Sequence, residues 1–258
     1  MIDPRAIIHP DTQMGVGVSI GPWSIIGPNV EIGDDTWIGP HTVINGPTQI
    51  GRDNRISQLC SIGDDPQDKK YQGERAQTRL EIGDRNTIRE YCTLNRGTVQ
   101  GGGVTRLGND NWIMAYVHIA HDCLIGNNTV FANNTTLAGH VVVEDYVTFG
   151  GFTAVHQFCR IGAYSFSAAS SIILKDVPPF VMVSEAPARA HGLNREGLRR
   201  SGFSSETINL LRKAYRILYR QNLTMAESLE QLKGLALQSP EVKRLVDFIQ
   251  QCTRGLIR

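Results

Sequence analysis

The sequence has no excess of either charge, few aromatic residues and no paired cysteines. Its 258 residues carry 26 Lys and Arg against 25 Asp and Glu, a net charge of +1, and only 7% are aromatic. A chain this close to neutral has no overall field that would draw it to nucleic acid or to an anionic membrane. Its five cysteines include no C-x-x-C pair, which argues against a disulfide framework and against a cysteine-based zinc site.

The sequence also lacks a secretory signal and an uninterrupted apolar run. It begins Met-Ile-Asp-Pro-Arg, with neither a basic region nor a following apolar stretch, so we expect a cytoplasmic protein. Residues 12–30 are uncharged, but glycines and prolines interrupt them, which argues against a transmembrane helix. We therefore expect neither membrane insertion nor nucleic-acid binding.

The sequence is rich in glycine, with 26 residues, and it contains a repeat of six. Four positions after each aliphatic residue of the repeat stands a small or β-branched residue, and glycine is common directly after the aliphatic residue. Because strand side chains alternate, the small residue and the next aliphatic residue point to the same side, and glycine marks a corner. The pattern breaks near 63–79 and 98–105 and resumes after each insertion. Its first eleven aliphatic positions are Ile2, Ile8, Met14, Ile20, Ile26, Ile32, Ile38, Ile44, Ile50, Ile56 and Ile62.

Units of six residues predict a mainly β protein, a parallel β-helix. The pattern resembles the left-handed hexapeptide-repeat family, and this resemblance implies three flat faces, 18 residues per coil and the left-handed sense. We predict the β-helix over residues 1–185, with the two insertions inside it. Helical signals follow, including a capping box at Thr224 and Glu227 and a helix start at Pro240. Residues 186–258 are therefore predicted to form a small C-terminal helical domain.

The cysteines and a group of basic residues have simple structural interpretations. Residues 205–221 predict a helix with a basic stripe, defined by Arg212, Arg216 and Arg220 on one face with Lys213 beside them. A solvated face explains this stripe, and a docking surface for an acidic partner is the alternative. Four cysteines fall at the small inward position, where a thiol packs as a small hydrophobe: Cys60, Cys92, Cys123 and Cys159.

Coil stacking places polar residues along one edge of the predicted β-helix. Residues 18 apart become neighbours, so Asp122 lies beneath His140 and His121 beneath Gly139. A histidine beside a carboxylate is a minimal general base, and a glycine N–H can stabilise a developing oxyanion. The predicted polar strip consists of His118, His121, Asp122, His140, His156 and Gln157.

Two other interpretations stay open on these residues alone. Histidines from adjacent coils can bind zinc, as in the γ-class carbonic anhydrases, which are also β-helices. The chain would then be a histidine–zinc hydratase, and the spacing His118-x-x-His121 gives this modest support. A non-catalytic solenoid used for assembly would make the strip incidental.

Longer motifs resemble one family, the UDP-N-acetylglucosamine O-acyltransferases, over the whole chain. This resemblance implies the first step of lipid A synthesis, transfer of a 3-hydroxyacyl chain from acyl carrier protein to the glucosamine 3-hydroxyl of UDP-N-acetylglucosamine. It implies no covalent acyl-enzyme, no cofactor and no metal. A related N-acyltransferase family carries an extra N-terminal domain, whereas here the repeat begins at Ile2. The matching segments are 114–123, 133–140, 156–159, Asn194-x-Glu196-Gly197-Leu198-x-Arg200 and 253–258.

The resemblance also implies roles for single residues. His121 would be the general base, Asp122 would orient it, and the Gly139 N–H would bind the oxyanion. The family is a homotrimer with sites between subunits, and its acidic carrier protein favours docking at the basic stripe. The residues implied in sugar-nucleotide binding are Asp68, Lys70, His118, His140, His156 and Gln157, with Asn194, Glu196 and Arg200 at its uridine and phosphate end.

Three positions distinguish the chain within that family. Asn95 stands where the family commonly has histidine in Thr-x-His-Arg-Gly-Thr, and Ser201 stands where it has a second arginine. At each of these two positions we expect the contact that the family's residue makes to be changed in this chain. Ala169 matches the place where side-chain size limits acyl length, and it predicts an acyl chain somewhat shorter than the longest in the family.

Overall fold

The computed structural model describes all 258 residues as a column of short strands followed by four helices. The strands form three sheets, and all neighbouring strands are parallel except the last pair. Sheet 1 contains Ile7–Ile8, Ile25–Ile26, Val43–Ile44, Ser61–Asp64, Thr93–Asn95, His118–Ile119, Thr136–Leu137, Ala154–Val155 and Ile172–Ile173. Sheet 2 contains Gln13–Met14, Val30–Ile32, Thr48–Ile50, Arg79–Ile82, Val104–Leu107, Leu124–Ile125, Val142–Val143 and Arg160–Ile161. Sheet 3 contains Ser19–Ile20, Trp37–Ile38, Arg55–Ile56, Thr87–Ile88, Trp112–Ile113, Val130–Phe131, Thr148–Phe149, Phe166–Ser167, Val181–Ser184 and Arg189–Leu193.

The register of the sheets follows the repeat of six. Ile7 pairs with Ile25, and Ile25 pairs with Val43, so one coil takes 18 residues in the regular part. The aliphatic residues of the repeat point inward and stack in a buried core along the axis of the column. The four cysteines at the small inward position are buried in the same core. The predicted mainly β fold, a parallel β-helix followed by C-terminal helices, is confirmed.

The two insertions change the spacing of residues that stack. The first leaves sheet 1 after Asp64, turns through a 3-10 helix at Arg75–Gln77 and rejoins sheet 2 at Arg79. The second passes through a 3-10 helix at Val99–Gly101 and rejoins at Val104. Ser61 therefore pairs with Thr93, and Thr93 pairs with His118, so the 18-residue spacing does not hold across the insertions.

A buried ladder of amides keeps the coils in register beside the insertions. We call Asn54, Asn86, Asn111 and Thr129 the asparagine ladder. Asn86 Nδ2 donates to Asn54 Oδ1 at 3.0 Å, and Asn111 Nδ2 donates to Asn86 Oδ1 at 2.9 Å. Thr129 Oγ1 donates to Asn111 Oδ1 at 2.6 Å. All four side chains are buried at the small inward position, where they satisfy one another.

The top of the column is closed by a hairpin and the helices. Val181–Ser184 pairs antiparallel with Arg189–Leu193, so the predicted boundary between residues 185 and 186 falls inside this hairpin. The first α-helix begins at Arg195, and the division into two domains stays a prediction. The helices are α1 (Arg195–Arg200), α2 (Ser205–Arg220), α3 (Met225–Ala236) and α4 (Pro240–Gln250).

The helix starts follow the sequence signals. Thr224 and Glu227 form the predicted capping box before α3, and Pro240 stands in the first turn of α4 behind the Ser239 cap. After α4 the chain returns to the column, where the buried Asp176 carboxylate accepts the N–H groups of Thr253 and Arg254. None of the helices combines the length and the apolar character needed to cross a membrane.

Candidate active site

The polar strip lies at the corner where the chain passes from sheet 1 to sheet 2. Residues 120–123 form this corner in one coil, and residues 138–141 form it in the next coil. The His140 N–H donates to the His121 carbonyl at 3.0 Å, which fixes the two corners against each other. Asp122 and His140 both adopt the left-handed backbone region that such a corner requires, and Asp and His tolerate it better than most residues. The predicted stacking of these residues is confirmed.

His121 and Asp122 form a hydrogen-bonded pair in spite of being adjacent in the sequence. His121 Nδ1 lies 2.8 Å from Asp122 Oδ2. The carboxylate side chain is only 1% exposed, whereas the imidazole is 15% exposed. Asp122 therefore holds one ring nitrogen from inside, and Nε2 is left as the nitrogen available to a bound molecule.

Thr98, in the second insertion, contacts the carboxylate from the other side. Its N–H donates to Asp122 Oδ1 at 2.8 Å, and its hydroxyl donates to Oδ2 at 2.7 Å. Burial alone would raise the pKa of the Asp122 carboxyl, but the hydrogen bonds from His121 and Thr98 outweigh it and hold this pKa below its ordinary value. Asp122 is consequently ionised at neutral pH although it is buried.

Gly139 lies against the face of the base candidate. A Cβ at this position would stand 2.5 Å from His121 Cε1 and 2.8 Å from Nε2, so only glycine leaves the ring in its place. The Gly139 N–H donates no hydrogen bond within the chain. A free donor next to Nε2 is what an oxyanion needs, and the structure places the predicted donor beside the predicted base.

Two further histidines flank the pair. His140 Nε2 lies 3.7 Å from Asp122 Oδ2, and its ring packs edge-on against His121 and face-on against Phe158. His118 Nδ1 lies 2.7 Å from the hydroxyl of Thr93. Burial lowers the pKa of His140, outweighing the opposite influence of the Asp122 charge, and burial together with the charge of His121 lowers the pKa of His118. Both rings are therefore neutral hydrogen-bonding groups near pH 7.

The first insertion carries Asp68 and Lys70 at a bend. The Asp68 carboxylate accepts the Lys70 N–H at 3.0 Å, and both side chains are at least partly exposed. The charge of Asp68 acts on the His140 ring, which raises the pKa of that ring slightly against the larger effect of burial. The charge of Asp68 therefore acts at the same corner.

Arg96 anchors this insertion from below. Its guanidinium is fully buried and contacts the carbonyl oxygens of Gly46 and Gly63 and the carboxylate of Asp65, with the Tyr71 hydroxyl 3.3 Å away. Arg75 pairs with the same Asp65 carboxylate at 3.0 Å from the solvent side.

Asn95 is also buried, and it donates to the Asp65 carbonyl at 2.8 Å. Its Oδ1 has no partner. At the position where the family commonly has histidine, this chain therefore places an amide that supports the insertion.

Several residues implied by the resemblance lie elsewhere in the chain. Asn194, Glu196 and Arg200 line a cavity of about 610 Å³ on the outer face of sheet 3, across the column from the 1–2 corner. The Asn194 amide caps α1 and donates to the Tyr164 carbonyl, and Glu196 pairs with Arg199 at 2.7 Å. One chain does not bring these residues to His121.

Three more predicted residues are exposed near the upper coils. Ala169 lies at the corner between sheets 3 and 1, on the opposite edge of sheet 1 from the pair. His156 and Gln157 lie at the 1–2 corner, one coil above Gly139. His156 Nδ1 is 3.1 Å from the Arg254 guanidinium of the returning C-terminal segment. Ser201, the second departure from the family, ends α1 and is exposed.

His121, Asp122 and His140 also form a group that could offer a metal three ligand atoms, all within 4.8 Å of one another. Asp122 Oδ2 already accepts hydrogen bonds from His121 and Thr98. A metal bound through this oxygen would compete with the hydrogen bond that orients His121.

Sequence reasoning missed two side chains of this site, Thr93 and Thr98. Both belong to the segment 93–98, in which the family resemblance distinguishes only Asn95. Thr98 is 24 residues before Asp122, outside the 18-residue rule, so the only available signal was the position of the segment next to an insertion.

Comparisons with known proteins agree on one family. The family described as "Udp N-acetylglucosamine O-acyltransferase; Domain 2" matches residues 176–257, and "Bacterial transferase hexapeptide (six repeats)" matches residues 29–64 and 105–139. Proteins named acyl-[acyl-carrier-protein]--UDP-N-acetylglucosamine O-acyltransferase from Thiobacillus denitrificans and Pseudomonas aeruginosa are each 58% identical, covering 100% of this chain and 99% of theirs.

Solved structures extend the agreement to the fold. A UDP-N-acetylglucosamine O-acyltransferase from Moraxella catarrhalis has a TM-score of 0.97 at 48% identity, covering 100% of this chain and 99% of its own. A UDP-N-acetylglucosamine acyltransferase from Francisella novicida has a TM-score of 0.97 at 41% identity, covering 100% and 94%.

Proposed function

The chain belongs to the acyl-[acyl-carrier-protein]–UDP-N-acetylglucosamine O-acyltransferase family and has that activity, and we propose that His121 is its general base. The observation that carries this proposal is the hydrogen-bonded pair of the partly exposed His121 and the buried Asp122 beside Gly139, whose N–H is unbonded. We further propose that the acceptor is the glucosamine 3-hydroxyl and the donor a 3-hydroxyacyl thioester.

The mechanism uses the two ring nitrogens of His121 for different tasks. Nε2 takes the proton of the substrate hydroxyl as its oxygen attacks the thioester carbonyl carbon. The imidazolium that forms donates through Nδ1 to the ionised Asp122, 2.8 Å away. When the tetrahedral intermediate collapses, the carbon–sulfur bond breaks and the proton returns from Nε2 to the leaving thiolate. The products are the ester and the free thiol of the carrier protein.

The Gly139 N–H supplies the donor for the negative oxygen of the intermediate. A donor of the backbone is held by the coil and needs no reorganisation when charge develops. No enzyme nucleophile is required, which agrees with four cysteines buried inside the column.

The remaining contacts of the sugar nucleotide come from the first insertion, from sheet 1 and the 1–2 corner, and from the start of the helices. We assign the sugar to Asp68, Lys70, His118, His140, His156 and Gln157, and the uridine and phosphate end to Asn194, Glu196 and Arg200. Ala169 would limit the acyl length. The basic stripe on α2 is exposed and suits an acidic carrier protein. We propose that the reaction takes place in the cytoplasm.

A homotrimer with sites between subunits explains why the two groups of residues lie on different faces. The sheet-3 face with the cavity and the 1–2 corner with His121 cannot meet within one chain, but they can meet when flat columns pack side by side. Large apolar side chains are exposed on the corner between sheets 3 and 1, including Tyr116 at 54% and Phe152 at 65%. Mixed oligomers test this arrangement: His121→Ala and Arg200→Ala chains, each inactive alone, should regain activity when co-assembled. A site within one chain would show no such recovery.

The base is tested by measuring thioester transfer to UDP-N-acetylglucosamine. His121→Ala should lower kcat by about 10²- to 10⁴-fold, the usual share of a general base. His9→Ala is the matched control, because His9 is also paired with a carboxylate, Asp11 at 3.5 Å, but on the exposed surface. Activity should also withstand a chelator. Retained activity in His121→Ala would overturn the proposed base, and loss of activity to the chelator would favour the histidine–zinc interpretation.

A further inference from the structure

The second insertion supplies the only side chain, apart from His121, that hydrogen-bonds the Asp122 carboxylate. We propose that Thr98 is a positioning residue, which fixes the plane of the Asp122 carboxylate and limits how strongly it binds the imidazole. This inference rests on the proposed role of His121 as the general base. It adds the residue that fixes the carboxylate of Asp122, the partner of His121.

The geometry of Thr98 leaves the carboxylate no freedom to rotate. Its N–H reaches Oδ1 at 2.8 Å and its hydroxyl reaches Oδ2 at 2.7 Å, so one residue grips both oxygens. Oδ2 is the oxygen that also accepts from His121 Nδ1. Any rotation of the carboxylate toward a better bond with the ring would break one of the two bonds from Thr98.

The hydroxyl of Thr98 is itself held in one orientation. Thr98 caps the 3-10 helix Val99–Gly101, and its Oγ1 accepts the Gly101 N–H at 3.1 Å. With that lone pair occupied, the hydroxyl proton points to Asp122. Thr98 is buried, so water does not compete for either bond.

Gly101 packs directly against the same carboxylate of Asp122. A Cβ on Gly101 would overlap the Asp122 carboxylate itself, and its φ is not in the left-handed region that would demand glycine for backbone reasons. The Asp122 N–H is held as well, by Thr105 Oγ1 at 2.7 Å. The insertion is therefore built around this carboxylate.

Sharing Oδ2 between two donors has a chemical consequence. Each hydrogen bond to a carboxylate oxygen reduces its attraction for the next donor. With the Thr98 hydroxyl in place, Asp122 orients His121 without binding its protonated form too tightly. Without it, Asp122 binds the protonated ring more tightly, and the ring returns its proton to the leaving thiolate less readily.

Thr98→Val removes the hydroxyl and keeps the shape and the N–H. It should lower kcat by about 10- to 100-fold, the range of a hydrogen bond to a charged group. KM for UDP-N-acetylglucosamine should change little, and the acidic limb of the pH–kcat profile should move upward by on the order of 0.5 unit. Thr98→Ser should restore both. Gly101→Ala, which crowds the carboxylate and keeps the Thr98 side chain, should lower kcat in the same way.

Thr129→Val is the matched control, because its buried hydroxyl donates to a side-chain oxygen of the asparagine ladder, away from the pair. It should lower stability without moving the pH profile. The inference is overturned if Thr98→Val keeps kcat within about twofold of wild type, if Thr98→Ser fails to restore it, or if the profile stays in place. These results leave the base itself intact, because His121→Ala tests that separately.

Discussion

Gly139→Ala tests the room beside the His121 ring without removing the N–H of residue 139. Alanine keeps the backbone N–H that we assign to the oxyanion, and Gly139 is not in the left-handed region, so the backbone accepts a side chain. The new methyl group would stand 2.5 Å from His121 Cε1. Ordinary carbon contacts are about 3.5–4 Å, so the ring must retreat by roughly 1 Å.

A shift of that size lies at the limit of what the reaction tolerates. Misplacing a reacting group by about 1 Å can cost on the order of 10²-fold in rate, and we expect that loss in kcat. The folded state should change little, since the gain of about 0.4–1 kcal/mol that alanine brings through the unfolded chain at a compatible backbone position offsets part of the cost of moving the ring. Thermal denaturation and steady-state transfer to UDP-N-acetylglucosamine measure the two effects.

Gly151→Ala provides the control at an equivalent corner position. Gly151 follows a strand of sheet 3 as Gly139 follows one of sheet 1, and its N–H is also unbonded within the chain. A Cβ there would meet nothing closer than the Asn133 carbonyl oxygen at 3.3 Å. We expect wild-type kcat from this variant. If Gly139→Ala were as active as Gly151→Ala, His121 could not be acting from the position that the structure gives it.

Three other predictions concern the ladder, the flanking histidines and the first insertion. Asn86→Leu leaves the buried N–H and Nδ2 of Asn111 without an acceptor, so urea denaturation should show a loss of about 2–6 kcal/mol, and a loss below about 1 kcal/mol would contradict the ladder. The pKa values of His118 and His140 are lowered from the ordinary 6.5, so the unfolded chain binds more protons and the free energy of unfolding should fall as pH drops below 6.5. Replacing both by glutamine should flatten that fall down to about pH 5, and an unchanged slope would be evidence against buried neutral rings. Arg96→Met should raise KM for UDP-N-acetylglucosamine by about tenfold, with a smaller effect on kcat. The substitution removes the buried guanidinium that holds the first insertion, while Asp65 keeps its pair with Arg75. A change in kcat alone would refute this role of Arg96.

The regular coils could be predicted from the sequence because one local rule governs them. Alternation along a strand places the aliphatic and the small residues inward, and a period of 18 decides which corners stack. That rule was enough to bring Asp122 under His140 and His121 under Gly139 without any other information. The capping box before α3 is equally local, since its two residues are three positions apart.

The contacts across the insertions could not be predicted, because the spacing of 18 residues between stacked positions does not hold where an insertion lies between them. Asn86 follows Asn54 by 32 residues and Asp122 follows Thr98 by 24, spacings that depend on where each insertion leaves and rejoins the column. The asparagine ladder did leave a signal, an asparagine at the small inward position in three coils. The hairpin at Arg189–Leu193 also lies outside the repeat. Its strand pairs antiparallel with Val181–Ser184, where the hairpin and the helices close the end of the column.

The placement of the site beside an insertion follows from what a regular coil cannot provide. In a repeating column most backbone groups bond between coils, and most corner side chains face solvent, so each corner can carry any residue that tolerates its backbone. The corner of Asp122 continues upward as His140 and then the exposed Phe158, which shows how freely the chemistry changes from coil to coil. A carboxylate that is ionised and 1% exposed needs donors directed at it from outside that regular pattern. Thr98 can donate to this carboxylate only because the second insertion folds back over the corner. The regular column therefore supplies His121, and the insertion supplies the residue that keeps its partner Asp122 ionised and oriented.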